Sequence, residues 1–333
     1  MTSSLPSSPF AAGTKITDPR FFVGRKEELQ VMMARMTAMP PISVNIVGPR
    51  RIGKSSLLYH FFQTYEQRVS APTRYVVIYL SLQDSRCQRE DGLYQAVAWE
   101  LWHNHTVIQN VALVEPLRVK PFNRLAFSAA MEHYKRLGVL PVLCLDEFGP
   151  LFRHPEQFDN GFFDNLRSLM ESGVLMLVVA SHRRLNFYQR RHKIRSTFFK
   201  LWEVLSLGEL TQQEAQALVC LPASKITGTT PTLTIQEQQL AMQWSKRHPY
   251  LLQLAASLLY EARQLGRDEI WAKAEFNKEA RRVPKLPWKF TKRTSYSIIF
   301  ICFVIIFLAI VLVSISLLSP LPIGELLQNV LKK

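Results

Sequence analysis

Apolar residues follow two rhythms along most of this chain. Short, nearly unbroken runs of strand formers occupy 43–47, 75–82, 139–145, 174–180 and 203–207. Runs without polar alternation suit parallel strands buried on both faces. Between them, apolar positions recur at helical spacing over 93–104 and 123–138, and Gly138 is placed to stop the second. This alternation predicts an α/β fold with a doubly wound parallel sheet over 21–208. Beyond 208 the strand rhythm stops. Thr211 and Glu214 stand at the two positions of a capping box, and helices are predicted over 236–246 and 249–265, with Pro249 in the first turn of the latter. Residues 1–20 contain Ser and Pro but lack the basic and apolar regions of a secretory signal, and read as a flexible arm.

A third pattern breaks with both rhythms. Residues 297–318 are apolar or Ser throughout and carry no charge. As a helix they would extend about 33 Å, enough for a hydrocarbon core of about 30 Å. A buried core helix would show a polar stripe, and scattered serines do not make one. The expectation is a single transmembrane helix, with 278–296 as a basic juxtamembrane linker and 319–333 as a short tail. Lys278, Arg281, Arg282, Lys285, Lys289, Lys292 and Arg293 crowd the amino-terminal flank, so residues 1–296 are expected on the cytoplasmic side. The membrane is thereby an expected partner and the expected location.

Charge adds a second consideration. Forty-one Lys and Arg against 26 Asp and Glu leave a net charge of +15, which calls for an anionic partner: nucleotide, nucleic acid or lipid headgroups. Part of that surplus belongs to the basic linker. The cysteines, Cys87, Cys144, Cys220 and Cys302, lie far apart and offer no C-x-x-C metal or redox pair. The histidines at 103, 105, 133 and 154 have no zinc-ligand spacing. No G-x-S-x-G or Cys–His pattern points to covalent catalysis. The aromatic pairs Phe21-Phe22, Phe61-Phe62 and Phe198-Phe199 read as core rather than stacking platforms.

The chemistry concentrates in one motif. After the strand at 43–47 comes Gly48-Pro49-Arg50-Arg51-Ile52-Gly53-Lys54-Ser55, followed by Ser56 and a helical segment. This is G-x-x-x-x-G-K-[ST] between a strand and a helix, the setting in which backbone N–H groups cradle phosphates. The helix starting near Lys54 adds its positive end. Lys54 is expected on the β- and γ-phosphates and Ser55 on Mg²⁺. The strand at 139–145 ends in Asp146-Glu147. Asp146 is the second expected metal ligand, and Glu147 is expected to orient and polarise the attacking water. Ser181, ending the strand at 174–180, is the candidate to face the γ-phosphate. Arg183 and Arg184 follow it as candidate arginine fingers, set against the simpler reading of solvated loop charges.

These residues resemble the archaeal-type ATPases within the AAA+/STAND branch of P-loop NTPases. Four landmarks match in order over about 20–270. Phe22-Val23-Gly24-Arg25 with Glu27 and Glu28 looks like the segment near the adenine. The phosphate loop and the LCLDEF segment follow, and Arg247-His248-Pro249-Tyr250-Leu251-Leu252-Gln253 resembles the lid signature. Arg247 stands where the family has Gly. The resemblance implies a three-layer α/β/α P-loop domain at 21–208, with the strand bearing Asp146 separated from its sequence neighbours, and a small helical or winged lid at 209–277. It implies ATP and Mg²⁺ as cofactors. It places Val23, Gly24, Arg25, Gly48 to Ser56, His248 and Pro249 around the nucleotide.

The leading expectation is a membrane-anchored ATPase, slow or partner-dependent, acting as a nucleotide-dependent switch and able to assemble as a homo-oligomer. The alternative is a nucleic-acid-binding AAA+ protein of the origin-binding or loader type, supported by the basic run over 183–200. A third reading is a nucleotide-binding scaffold without turnover. Lys54, Ser55, Asp146 and Glu147 together speak against it. The sequence names no protein client.

Overall fold

The computed structural model describes residues 8–222 and 231–283. In chain order its helices and strands are α1 (Lys26–Thr37), β1 (Val44–Val47), α2 (Lys54–Thr64), β2 (Tyr75–Ser81), α3 (Glu90–Trp102), α4 (His105–Ile108), α5 (Val111–Val114), α6 (Arg124–Arg136), β3 (Leu140–Asp146), α7 (Asn160–Glu171), β4 (Met176–Ser181), α8 (Leu185–Arg191) and β5 (Glu203–Ser206). Four helices follow: α9 (Gln212–Val219), α10 (Ile235–Ser245), α11 (Pro249–Gln264) and α12 (Glu269–Ala280).

The strands form one parallel sheet in the order β2-β3-β4-β1-β5. Its residues divide between two cores by strict alternation, because successive side chains on a strand point to opposite faces. Ile78, Leu80, Leu143, Leu145, Leu177 and Val179 join residues of α3, α6 and α7. Val77, Val142, Cys144, Val178, Ile46 and Val44 join residues of α1 and α2. With both faces covered, uninterrupted apolar runs are what such strands require.

The expected isolation of β3 from its sequence neighbours is corrected: β3 pairs with β2 on one side and β4 on the other. The strand inserted beside β1 is β4, whose six residues are all buried, as a central position demands. The register sets Val47 opposite both Ser181 and Ser206, and Ser81 opposite Asp146. The phosphate loop and both acids therefore emerge at the same, carboxyl-terminal end of the sheet. In open α/β sheets this is where ligands bind.

The segment from α9 onward has a core of its own, including Leu218, Leu233, Leu252, Leu259 and Phe276. Capping boxes start α9 (Thr211 with Glu214) and α10 (Thr234 with Glu237), and Pro249 occupies the first turn of α11. Among the described residues this part is helical, with one isolated bridge between Pro222 and Pro231. The expected arm is seated from residue 8 onward. Phe10 is buried in the helical core, the Ala11 N–H donates to Gln253 Oε1 (3.1 Å), and the Ile16 N–H donates to Ser56 Oγ (3.1 Å).

The expectation of a membrane-anchored protein with a carboxyl-terminal spanning helix is corrected. Among the described residues no helix is long and apolar enough to cross a membrane, and 297–318, on which that expectation rested, lie outside them. The single-pass location and the membrane partner rested on the same residues, and no spanning helix among the described residues supports them.

Candidate functional site

The phosphate loop is shaped by two glycines with different tasks. Gly53 holds φ +97° where the loop turns into α2, a conformation open to glycine and strained for other residues. Gly48 is required by proximity: a Cβ there would lie 2.8 Å from Ile52 Cγ2 and 3.3 Å from the Leu207 carbonyl oxygen. Ile52 is itself fully buried, so the loop is anchored from within. Pro49, Arg50 and Arg51 complete its outer turn. Arg50 and Arg51 line the cleft above it, with the Arg51 guanidinium 4.2 Å from the centre of the Tyr250 ring.

Lys54 opens α2, and its buried ammonium donates to the Gly48 and Pro49 carbonyls, both at 2.9 Å. Burial lowers its pKa to about 8, although Glu147 and Asp146 pull the other way. Next to it, Ser55 Oγ donates to Asp146 Oδ1 at 3.1 Å. The other carboxylate oxygen of Asp146 accepts from the Tyr79 hydroxyl at 2.8 Å. Tyr79 thereby orients the acid from the neighbouring strand β2. Burial, and then Asp146, raise the Tyr79 pKa, so the phenol stays protonated as the donor.

Glu147 leaves the strand with φ +54°, and its N–H donates back to Asp146 Oδ1 at 3.0 Å. That turn swings its side chain away from Asp146 and into the cleft. There Glu147 Oε2 lies 3.5 Å from His182 Nε2, while His182 Nδ1 lies 3.4 Å from Lys54 Nζ. Burial first, and the Lys54 charge second, lower the His182 pKa, which keeps the imidazole neutral near pH 7.

Sequence reasoning missed His182. It placed Ser181 toward the phosphate, but Ser181 is still inside the sheet, 2% exposed and paired with Val47. Its hydroxyl accepts from Asn45 Nδ2 (2.8 Å) and donates to the Arg183 carbonyl (2.7 Å). One residue further the chain has left the ladder and the side chain turns to the cleft. Because neighbouring residues face opposite ways, an error of one position exchanges a structural residue for a site residue. Tyr79 was missed as well, since nothing in the sequence shows that β2 lies beside β3. Arg183 is exposed, its guanidinium 5.6 Å from the Phe187 ring, and it does not line the cleft.

The far side of the cleft comes from the helical part and the amino-terminal segment. The cleft holds about 530 Å³. Phe22, Val23, Leu210, Leu218, Pro249 and Tyr250 give it apolar surface, and Arg50, Arg51 and Lys54 give it cations. Gly24 (φ +80°) lies against the Glu214 carboxylate, and the Arg25 N–H donates to Glu214 Oε1. Burial would raise the Glu214 pKa, but the N–H groups of Thr211 and Arg25 outweigh it and hold it low. The Arg25 guanidinium is turned inward, onto Glu28 (3.2 Å) and the Gly208 carbonyl. His248 caps α11 from a buried position, 4% exposed. Neither ring nitrogen has a hydrogen-bond partner among the described residues, and burial lowers its pKa to about 4. Ser56 is committed to the amino-terminal segment through Ile16. No cluster of metal-binding side chains of three or more occurs among the described residues.

A five-stranded parallel sheet with a phosphate loop feeding α2 and an acid pair ending β3 defines a P-loop NTPase. Residues 14–278 match the family described as Novel STAND NTPase 1, and the chain belongs to that family. It is a nucleotide-binding protein of the Walker type with ATP-hydrolysing activity. No curated protein sequence matches the chain. Solved structures of similar fold include the Walker-type ATPase PABY2304 of Pyrococcus abyssi (15% identity, 82% of this chain and 76% of that one, TM-score 0.55). They include the Aeropyrum pernix ORC2 protein in its ADPNP–ADP complexes (15% identity, 81% and 70%, TM-score 0.57). They also include the Aeropyrum pernix ORC1 protein in complex with DNA (14% identity, 78% and 66%, TM-score 0.50). At these identities the likeness is one of fold.

Proposed function

We propose that this protein binds Mg-ATP in the cleft between the sheet and the helical part, hydrolyses it, and applies that cycle to nucleic acid. The observation that carries the reading is the convergence of Lys54, Ser55, Asp146, Glu147 and His182 at one end of the sheet, drawn from separate segments of the chain. The residues suit the cofactor: a serine hydroxyl 3.1 Å from a carboxylate is the hard oxygen pair that holds Mg²⁺ beside phosphate. Mg²⁺ there supplies neutralisation of the charge on the phosphate oxygens.

The chain's own groups then divide the work. The loop N–H groups and the amino end of α2 hold phosphate, and Lys54 exchanges its two carbonyl partners for phosphate oxygens. Tyr79 keeps the Asp146 carboxylate aligned. Glu147 orients water for attack and takes its proton, and His182 positions Glu147 relative to Lys54. Val23, Leu210, Pro249 and Tyr250 enclose the base. The Arg25 N–H, donating to Glu214 Oε1, ties the amino-terminal segment to the helical part beside the cleft. Nucleic acid as the client is supported by the +15 charge and by the fold shared with a protein solved in complex with DNA.

The test is phosphate release and ATP binding by the full chain. Glu147→Gln should lower turnover by about 10²–10⁴-fold while retaining ATP, and Lys54→Ala should lose both. Turnover of Glu147→Gln at the wild-type rate would overturn the assigned chemistry. Nucleic acid that changes neither turnover nor nucleotide affinity would overturn the assigned client.

A further inference from the structure

The helix α8 has two unlike faces. Leu185 is buried, and the Tyr188 ring stacks on Phe152 at 4.7 Å with 6° between the planes. His192, just past the helix, stacks on the same ring at 5.6 Å. The opposite face carries Phe187, Arg190 and Arg191, spaced i, i+3 and i+4 so that they lie together. These three line an open groove. Phe187 is 41% exposed, which is unusual for a ring with a packed aromatic cluster one helix face away. Arg183, one turn earlier, extends the row and lies 5.6 Å from the Phe187 ring.

Charge along this segment is of one sign. Arg183, Arg184, Arg190, Arg191, Lys193, Arg195 and Lys200 are all exposed, and 182–202 contains no acidic residue. Among the described residues none of these seven is within ion-pair distance of a carboxylate. Surface cations usually spread among acids. Here they fall together within 183–200, and Arg183, Arg190 and Arg191 lie beside one exposed ring. A ring offers a stacking face that every base can use, and flanking arginines offer guanidinium groups to the phosphates on either side of it. A duplex would bury its bases and leave the ring idle.

We propose that the outer face of α8 is a binding site for single-stranded nucleic acid, with Phe187 stacking on a base and Arg190 and Arg191 holding the adjoining phosphates. The proposal rests on the reading of nucleic acid as the client and gives that client a location. The site lies on the same segment as the nucleotide-facing loop: His182 faces Lys54 and Glu147, and the Ser181 hydroxyl holds the Arg183 carbonyl where α8 begins.

The experiment is fluorescence anisotropy of the full chain with an oligothymidylate of about 30 nucleotides and a duplex of the same length, titrated between about 50 and 200 mM salt. Arg190→Ala/Arg191→Ala should weaken oligothymidylate binding by about tenfold or more and flatten the salt dependence by about 0.7 for each phosphate no longer neutralised. Phe187→Ala should weaken it by about fivefold or more with the salt dependence unchanged. Both variants should melt with the wild type and hydrolyse ATP at its basal rate. Oligothymidylate binding that is unchanged in both variants but abolished in Lys285→Ala/Lys289→Ala/Lys292→Ala/Arg293→Ala would overturn the location and leave the client standing. A preference for duplex, or loss of binding to phosphatidylserine vesicles in place of oligothymidylate, would overturn the single-strand assignment. A wild-type chain that binds no nucleic acid but hydrolyses ATP would overturn site and client together.

Discussion

The two walls of the nucleotide cleft are built on opposite terms. On the sheet side the polar groups at the phosphate end are paired: Lys54 with two carbonyls, Asp146 with Ser55, Tyr79 and the Glu147 N–H. On the helical side His248 is buried with both ring nitrogens unpartnered among the described residues. Left-handed non-glycine residues occur on both walls, Arg51 (φ +65°) and Glu147 (φ +54°) on one, Lys246 (φ +51°) and Arg247 (φ +64°) on the other. A satisfied network specifies one geometry, whereas an unpaired buried group raises the energy of the state that contains it. The polar groups at the phosphate end are thus fixed by their partners, and His248 on the other wall is not.

The largest effect that would break this contrast lies at the join of the two walls. If His182 positions Glu147, His182→Ala should slow turnover by about 10- to 100-fold with little change in ATP affinity. Ser181→Ala, one residue away, should instead lower the melting temperature and leave the turnover of folded protein intact. The reverse assignment of effects would return the role to Ser181.

Next in size is the acid response of the helical wall. The unfolded chain protonates His248 near 6.5, but the folded site does so only near 4. Stability is therefore full above about pH 6.5 and is lost as pH falls toward 4, by about 2 kcal/mol at about pH 5. His248→Phe should shrink the difference in melting temperature between neutral and mildly acidic solution. An unchanged difference would show that the ring is not the titrating group.

The sheet wall should show the opposite pH signature, in binding rather than folding. Lys54 binds phosphate as the ammonium, and its pKa of about 8 lies within reach of ordinary buffers. ATP affinity should be level below about pH 8 and fall by roughly tenfold per unit above it, with proton uptake on binding seen by calorimetry. A flat affinity up to about pH 10 would mean an unperturbed lysine.

The smallest effect tests the strained turn. Arg247→Gly should stabilise the protein by about 1 kcal/mol, because glycine adopts the left-handed region without the steric cost. The exposed ion pair that it removes, Arg247 with Glu209 at 3.6 Å, contributes less. Destabilisation by Arg247→Gly would show that the side chain, not the backbone, governs this position. The same geometry explains why glycine is the expected residue in the resembling lid motif.

Much of the nucleotide site was legible in the chain because its parts are local. A strand, a glycine-bounded loop and a helix follow one another within a short stretch, and the acids end an apolar run that any parallel strand would show. Gly48, Gly53, Lys54, Ser55, Asp146 and Glu147 follow from spacing alone. Three other things did not. The inward turn of Arg25 depends on Glu28 and a carbonyl at Gly208. The seat of residues 8–16 depends on Gln253 and Ser56. The face of Ser181 depends on where β4 leaves its ladder.

The amino-acid sequence by itself determined the class of the fold, the phosphate loop and the acid pair, since these rest on hydrophobic period and on interactions within short segments. Tertiary structure alone decided the strand order, the partnership of Tyr79 with Asp146 and the place of His182 between Lys54 and Glu147. Those depend on which strands become neighbours and on which face each residue presents at a strand's last hydrogen bond, and both are settled by packing across the whole sheet.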